Sequence, residues 1–426
     1  MQSITPKRCK RTPGGRTAAL AATPARIGES VSATRGNGCT GAPLGIDAKY
    51  SAVCQETGEI TEVSIPGNTK SQRFILQSVV RKLLPKSRTN NCLRVRQGNK
   101  QIQVWKSIEH GSASFSGLQT CGSVWSCPVC AAKIAERRRA EILVAMTSNK
   151  AQGGLVNMLT LTCPHQRSDD LVELLAKQAK ALKAMFSDWT VKAIFKAMGI
   201  VGQIKATEVT HGRLSPFDNG WHPHYHLLLF SGSNVALSLF DAPQMEDWQV
   251  RLYLRWAACC VKAGLGEPSY AHGLKLDNGD KAAKYVSKWG LEDEMTKGHI
   301  KKALHGETPF DFLRALVASD DDRQAAVLFI EFANAFKGKR QLHWSKGLKK
   351  MFAIGEKTDD ELVEEKDDFA EVLGHLTIEQ WRDVLAVEGR GNVLALAVSG
   401  GWSAVSSYLF SIKGKGVPKK STKITI

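Results

Sequence analysis

The stretch GWHPHYHLLLF, residues 220–230, constrains the fold of this chain more than any other segment. His222, His224 and His226 occupy alternate positions, and a continuous apolar run follows them. In a β-strand, residues i and i+2 point to the same face of the sheet, so the three imidazoles face one way and Tyr225 faces the other. The segment therefore predicts a strand whose first half carries imidazoles on one face.

The spacing of these histidines limits how many can bind one ion. The outer two are roughly 13 Å apart along an ideal strand, whereas neighbours at roughly 6.6 Å can converge. Pro223 interrupts the strand before His224, so His224 and His226 form the favoured pair. Glu208, near the end of a preceding strand-like segment, is the candidate third ligand. Such a set leaves positions open for phosphate oxygens and water. The alternative is a polar strand start whose histidines bond only to backbone groups.

Segments on either side alternate between strand-like and helix-like patterns. GLVNMLTLT, residues 154–162, and IVGQIKATEVT, residues 200–210, predict strands. SDDLVELLAKQAKALKAMF predicts a helix with Ser168 as its N-cap. AAKIAERRRAEILVAM, residues 131–146, predicts a helix with four apolar residues inward, Ile134, Ile142, Leu143 and Met146, and four basic residues outward, Lys133, Arg137, Arg138 and Arg139. Such alternation indicates an α+β or α/β core.

Positive charge is concentrated in one part of the chain. The formal net charge is +17, and Lys and Arg exceed Asp and Glu by 11 within residues 71–150 alone. A clustered positive field attracts phosphate backbones, so nucleic acid is the expected partner of this segment, with the outward basic residues of the predicted helix as its contacts. A generally soluble basic surface is the alternative.

Composition divides the chain into four regions. Residues 1–70 are rich in small residues, Gly and Thr, and we expect disorder there. A basic DNA-binding segment follows over 71–150, then a core over 151–292, and a helical C-terminal region with a basic tail over 293–426. Within the last region, LTIEQWRDVLAVEG predicts a capped helix.

The motif CGSVWSCPVC places Cys121, Cys127 and Cys130 at the spacing of a zinc knuckle. A C-x2-C pair sets two thiolates on one turn, and a third can close on the same Zn²⁺. The fourth ligand is absent from the motif, and the candidates left open are Cys92, His110 and Cys163. The alternative is three unrelated buried thiols or a redox pair.

KAAKYVSKWG predicts a helix on which Tyr285 shares a face with Lys281 and Lys288. Nearby positive charge lowers the pKa of a phenol and favours the phenolate nucleophile. A tyrosine that only packs beside solvated lysines is the alternative.

The chain also has no uncharged apolar run near the ~18 residues that would span a bilayer, so we expect a cytoplasmic protein without membrane contact.

Taken in order, Thr160 to Thr162 (TLT), HPHYH and YVSKW, preceded by the cysteine knuckle and basic helix, resemble the rolling-circle replication initiators of plasmids, within the HUH endonuclease superfamily. The resemblance covers roughly residues 115–350. It implies an α+β fold: a five-stranded antiparallel sheet with flanking helices and the histidine-bearing strands at its centre, plus the zinc-knuckle segment and a helical C-terminal region. It also implies Mg²⁺ or Mn²⁺ at His224 and His226, with Glu208 as third ligand, and Tyr285 as nucleophile.

By this resemblance, Tyr285 would nick one origin strand, leaving a 5′-phosphotyrosine link and a 3′-hydroxyl primer, and Lys288 would stabilise charge on the phosphoryl oxygens. The DNA would be single-stranded or a hairpin, with a host helicase and polymerase as partners. One departure concerns termination: single-tyrosine relatives commonly carry a glutamate one turn before the tyrosine, but position 281 is Lys, and Asp280 lies off that helical face.

Other readings differ in what they predict. A transposase of the same superfamily would be flanked by element ends instead of a plasmid origin. A zinc-dependent DNA-binding regulator would bind DNA without any covalent adduct. A conjugative relaxase usually has its tyrosine before the histidines, where this chain has only Tyr50. A zinc hydrolase is disfavoured because H-x-H lacks the helical H-E-x-x-H arrangement.

Overall fold

The computed structural model describes residues 48–53, 60–65, 69–108, 111–215, 218–235, 237–279, 282, 306–364 and 370–416. Tyr285, Lys288, Lys281 and Asp280 lie outside the described residues, as do His110 and the basic tail after residue 416. The predicted helix over KAAKYVSKWG therefore stays a prediction, apart from Ala282.

The described strands, in chain order, are β1 (Ala48–Val53), β2 (Ile60–Ile65), β3 (Ile102–Ser107), β4 (Ser112–Ser116), β5 (Leu155–Thr162), β6 (Ile200–His211), β7 (Trp221–Ser231), β8 (Leu274–Asp277), β9 (Leu342–Trp344) and β10 (Ala370–Leu376). The described α-helices are α1 (Thr69–Leu83), α2 (Pro128–Ala151), α3 (Leu171–Ser187), α4 (Trp189–Ala197), α5 (Ala242–Ala263), α6 (Tyr270–Gly273), α7 (Pro309–Ala318), α8 (Arg323–Ala335), α9 (Leu348–Met351), α10 (Asp359–Glu364), α11 (Ile378–Ala386) and α12 (Arg390–Ser411).

A five-stranded sheet forms the centre, in the order β8-β5-β7-β6-β9. Every pairing in it is antiparallel, so the predicted α+β class and five-stranded antiparallel sheet are confirmed. The strand that carries His222, His224 and His226 lies in the middle.

The two faces of β7 explain its sequence pattern. Trp221, Tyr225 and Leu227 belong to a large core on one face, to which α3, α5, α7 and α8 also contribute. On the other face, Leu228 and Phe230 pack with residues of α2 in a smaller core. Described residues cover the apolar run on both faces, whereas His222, His224 and His226 are half-buried.

A second sheet joins distant parts of the chain, in the order β10-β3-β4. It shares one core with α11 and α12 that includes Val104, Trp381 and Val393. The division into a basic segment at 71–150 and a separate C-terminal region at 293–426 therefore does not describe the structure, because strands from both regions pair edge to edge. Local composition cannot reveal such pairing.

Two short strands fall inside the region expected to be disordered. β1 and β2 pair antiparallel, with Ala48 opposite Ile65 and Val53 opposite Ile60. Disorder over 1–70 is thus wrong for these strands, whose Tyr, Val, Ile and Thr residues favour extended structure despite the small-residue background.

Helix ends follow the expected chemistry, with local differences. α3 is capped by Asp170, whose side chain accepts from the Glu173 backbone, and not by Ser168 as predicted. α11 begins with the capping box formed by Thr377 and Gln380.

On α2, Ile134 and Ile142 are buried as predicted, but Leu143 is exposed. The side chain of Leu143 therefore does not pack in any of the described hydrophobic cores.

One described helix, α12, is long and apolar enough to cross a membrane by length and composition. The expectation that no uncharged run approaches that length is therefore wrong. Gly401 breaks the helix with φ 63° and ψ −155°, and Val393 and Val405 are fully buried in the second core. These features are those of a core helix in a globular domain, which explains its apolar composition.

Candidate functional site

Glu208, His224 and His226 converge on one face of the central sheet, where all three are half-buried. Oε2 of Glu208 lies 3.2 Å from Nε2 of His224 and 3.5 Å from Nε2 of His226. The potential ligand atoms of all three lie within 4.8 Å of one another. The structure therefore brings together the three side chains that the sequence predicted as metal ligands, and His222 is not among them.

Strand register produces this convergence. Glu208 on β6 is directly opposite His224 on β7, and His226 is opposite Thr160 on β5. Directly opposite residues in an antiparallel pair share a face. The carboxylate and the two imidazoles are thus held by two hydrogen-bonded strands, β6 and β7, with Thr160 of β5 beside His226.

Groups behind the imidazoles set their orientation. Nδ1 of His226 lies 3.0 Å from the Thr160 hydroxyl, and Nδ1 of His224 lies 3.4 Å from the His222 carbonyl oxygen. A metal on Nε2 requires the hydrogen on Nδ1, which then donates to these oxygens. Both rings are therefore turned with Nε2 toward Glu208.

The site is charged at neutral pH. Burial raises the pKa of Glu208, but its contacts with His224 and His226 lower it more, so its pKa lies well below the usual range. Burial, with His224 and His165 nearby, lowers the pKa of His222 to about 3. His222 is therefore a neutral ring, and it stacks on His165 with ring centroids 4.7 Å apart.

The donor set fits a hard divalent cation. Octahedral Mg²⁺ at 2.0–2.1 Å places neighbouring ligand atoms roughly 2.9 Å apart, and Mn²⁺ slightly further. The spacings of 3.2 and 3.5 Å at Glu208 are close to this. One carboxylate and two imidazoles would leave the remaining positions for oxygen atoms of a substrate and for water.

Four cysteines form a second group. Cys92, Cys121, Cys127 and Cys130 are all buried, with their sulfurs within 4.8 Å of one another. Sγ of Cys92 lies 3.4 Å from that of Cys130 and 3.8 Å from that of Cys127, and Cys121 lies 3.6 Å from Cys130. Tetrahedral Zn²⁺ with Zn–S near 2.3 Å separates its sulfurs by roughly 3.8 Å.

Of the candidates left open for the fourth ligand, Cys92 is thus the one that lies with the three cysteines of the motif. Cys163 lies in the large core on the central sheet, away from this group. Cys92 is 29 residues before the motif, and no local spacing distinguishes it. Only the folded path of the chain brings it to the other three.

Buried polar groups support the cysteines. Nε2 of Gln77 lies 3.1 Å from Sγ of Cys127, and Oε1 of Gln77 accepts from the fully buried Arg390 at 2.6 Å. Cys127 also caps α2, since its sulfur accepts from the Cys130 backbone. These contacts hold the sulfur of Cys127 in place within the group.

The basic residues predicted to contact DNA make intramolecular contacts. Arg138 bonds to Glu141 and Asp359, Arg139 to Glu136, and Lys133 donates to the Val363 carbonyl. Arg137 is half-buried. Their charges are partly offset within the protein, and their contact with DNA stays a prediction.

Part of the chain is similar to a known family. Residues 115–244 match the family described as replication protein, a range that includes the cysteine motif, Glu208, His224 and His226.

Within these residues, the chain is similar to the replication-protein family.

Two curated proteins are similar to this chain. One, named "Protein rep", from Streptomyces lividans, is 25% identical over 57% of this chain and 66% of its own length. The other, named "Neomycin resistance protein", from Streptomyces cyanogenus, is 30% identical over 29% of this chain and 33% of its own length. The chain thus spans just under two thirds of one relative and one third of the other. No solved structure matches this chain.

Proposed function

We propose that this chain is a replication protein that initiates plasmid replication as a site-specific endonuclease and strand transferase of the HUH type. The observation that carries the proposal is the convergence of Glu208, His224 and His226 on one face of the central sheet. Two imidazoles and one carboxylate with room for oxygen ligands suit the chemistry of a phosphodiester.

Glu208, His224 and His226 would hold Mg²⁺ or Mn²⁺. When bound, the ion would act as a Lewis acid on the scissile phosphate. Thr160 and the His222 carbonyl would keep the imidazoles oriented throughout the reaction. The low pKa of Glu208 keeps its carboxylate charged and available to a cation at neutral pH.

Tyr285 is the proposed nucleophile. Ala282 is fully buried in the core that contains Leu228 and Phe230, on the same sheet face as the histidines. Tyr285 follows Ala282 by three residues in the sequence, and the burial of Ala282 on this face supports the proposed role of Tyr285. The phenol oxygen would lose its proton and attack phosphorus, forming a 5′-phosphotyrosine bond.

In the same step the bond from phosphorus to the 3′ oxygen would break, and that oxygen would take up a proton as the 3′-hydroxyl primer. Lys288 is proposed to stabilise the charge on the phosphoryl oxygens. Rejoining of the strand would reverse this exchange, and the retained covalent bond would conserve the energy it needs.

The four-cysteine group is proposed to hold Zn²⁺ as a structural ion. All four ligands are buried thiols, so no position is left for a substrate, as in closed structural sites. The proposed partners are single-stranded or hairpin origin DNA together with a host helicase and polymerase, all in the cytoplasm.

The test is formation of a covalent adduct. Protein with Mn²⁺ and labelled single-stranded oligonucleotides from its own plasmid would be run on a denaturing gel, beside Tyr285→Phe. Tyr270→Phe is the matched control, because Tyr270 is exposed and has no proposed role. We expect a metal-dependent adduct that Tyr285→Phe abolishes and Tyr270→Phe retains.

An adduct that survives Tyr285→Phe would exclude this tyrosine as nucleophile. Tight DNA binding without any adduct would favour the zinc-dependent regulator instead of the nuclease.

A further inference from the structure

Lys275 stands in the same row of the sheet as the candidate metal ligands. It lies on β8 directly opposite Thr160, and Thr160 is directly opposite His226. The hydroxyl of Thr160 contacts the imidazole of His226, so this row of side chains is on the histidine face. Opposite residues share a face, which places the Lys275 side chain there as well.

Lys275 lies at a suitable distance from the candidate metal ligands to contact a neighbouring part of the same substrate. Two strand spacings separate its backbone from that of His226, roughly 10 Å. A lysine has a flexible four-carbon stem that carries its ammonium well away from the backbone. The group can therefore reach a substrate lying on the sheet beside the metal site without itself being a ligand.

The side chain of Lys275 reaches solvent. It is 57% exposed, and Nζ lies 3.9 Å from Oδ1 of Asp277. At that distance the ion pair is longer than a direct hydrogen bond. The exposed part of the side chain is therefore accessible to a substrate on this face of the sheet.

We propose that Lys275 binds a backbone phosphate of the DNA strand that flanks the phosphate at Glu208, His224 and His226. An ammonium attracts phosphate as a compact point charge, and releasing the condensed counterion favours the contact. The strand would cross the sheet from β7 toward β8. This inference rests on the proposed function, because it requires single-stranded DNA at the metal site.

The test separates binding from chemistry. Affinity for a fluorescent oligothymidylate would be measured with Mn²⁺ at several NaCl concentrations for the wild type, Lys275→Ala and Lys275→Arg. Lys262→Ala is the matched control, because Lys262 is an exposed lysine on α5, which packs on the opposite face. Thermal unfolding would establish that each variant is folded.

We expect Lys275→Ala to bind severalfold more weakly and to reduce the slope of log K against log[NaCl] by about 0.7, the change for one phosphate contact on a single strand. Lys275→Arg should retain the slope, and Lys262→Ala should match the wild type. An unchanged slope and affinity in Lys275→Ala would overturn the inference, as would equal losses in the Ala and Arg variants.

The results that would contradict this inference differ from those that would contradict the proposed function. If the wild type forms the adduct and Lys275→Ala binds DNA normally, only the proposed role of Lys275 is excluded. A slope change in Lys275→Ala, with no adduct from the wild type, would support the phosphate contact and count against the nuclease.

Discussion

Thr160 illustrates how a single hydroxyl can govern a candidate metal site. It contacts Nδ1 of His226 at 3.0 Å and leaves Nε2 directed at Glu208. The sequence motif TLT marked this position without indicating its contact. Partners of this kind fix the tautomer and ring orientation of a ligand histidine.

We expect Thr160→Val to weaken Mn²⁺ binding by roughly 10–100-fold, since valine keeps the shape but lacks the oxygen that accepts from Nδ1. Isothermal titration with Mn²⁺ measures the change. Thr207→Val is the control, because Thr207 lies opposite Tyr225 and faces away from the histidines. Equal affinities in the wild type and Thr160→Val would contradict the orienting role.

At the scale of elements, β10 and α12 meet at a glycine. The register of β10 against β3 shifts between Val372 and Gly374, and a Cβ at Gly374 would overlap the indole of Trp402. The irregular strand and the close approach of the ring both depend on the missing side chain. The contact therefore joins the second sheet to the last helix.

Gly374→Ala should lower the free energy of unfolding by roughly 1–3 kcal/mol, because the added methyl forces the helix and strand apart. Urea denaturation measures it. Gly355→Ala is the control, since a Cβ there would meet nothing within 4 Å. A Gly374→Ala variant as stable as Gly355→Ala would mean that Trp402 moves aside without cost.

At the scale of the whole molecule, the cysteine group lies where separate regions meet. Cys92 comes from the segment before β3, and Cys127 and Cys130 come from the start of α2. The same helix packs Ile142 and Ala145 against the histidine-bearing sheet. Arg390, from α12, contacts the cysteines through Gln77. A metal ion at this cysteine group would therefore stabilise the packing between the central sheet and the sheet formed by β10, β3 and β4.

We expect Cys92→Ser to lower zinc content from about one ion per chain toward zero and to destabilise the fold by about 4 kcal/mol or more, as loss of a structural metal does. Elemental analysis and thermal unfolding are the measurements. Cys259→Ser is the control, because Cys259 is half-buried and outside the group. Full zinc content in Cys92→Ser would show that three cysteines suffice.

The sequence alone determined the elements with strong periodicity and the ligands with local spacing. The alternation of GWHPHYHLLLF predicted β7 and the pair His224 and His226, because strand geometry relates positions two apart. The cysteine spacing similarly predicted three of the four thiols. Tertiary structure alone decided that Cys92 joins the other three cysteines, that β10 pairs with β3, and that Lys275 stands beside the candidate metal ligands. Each joins residues far apart in the chain, and such contacts depend on which strands pair and in what register.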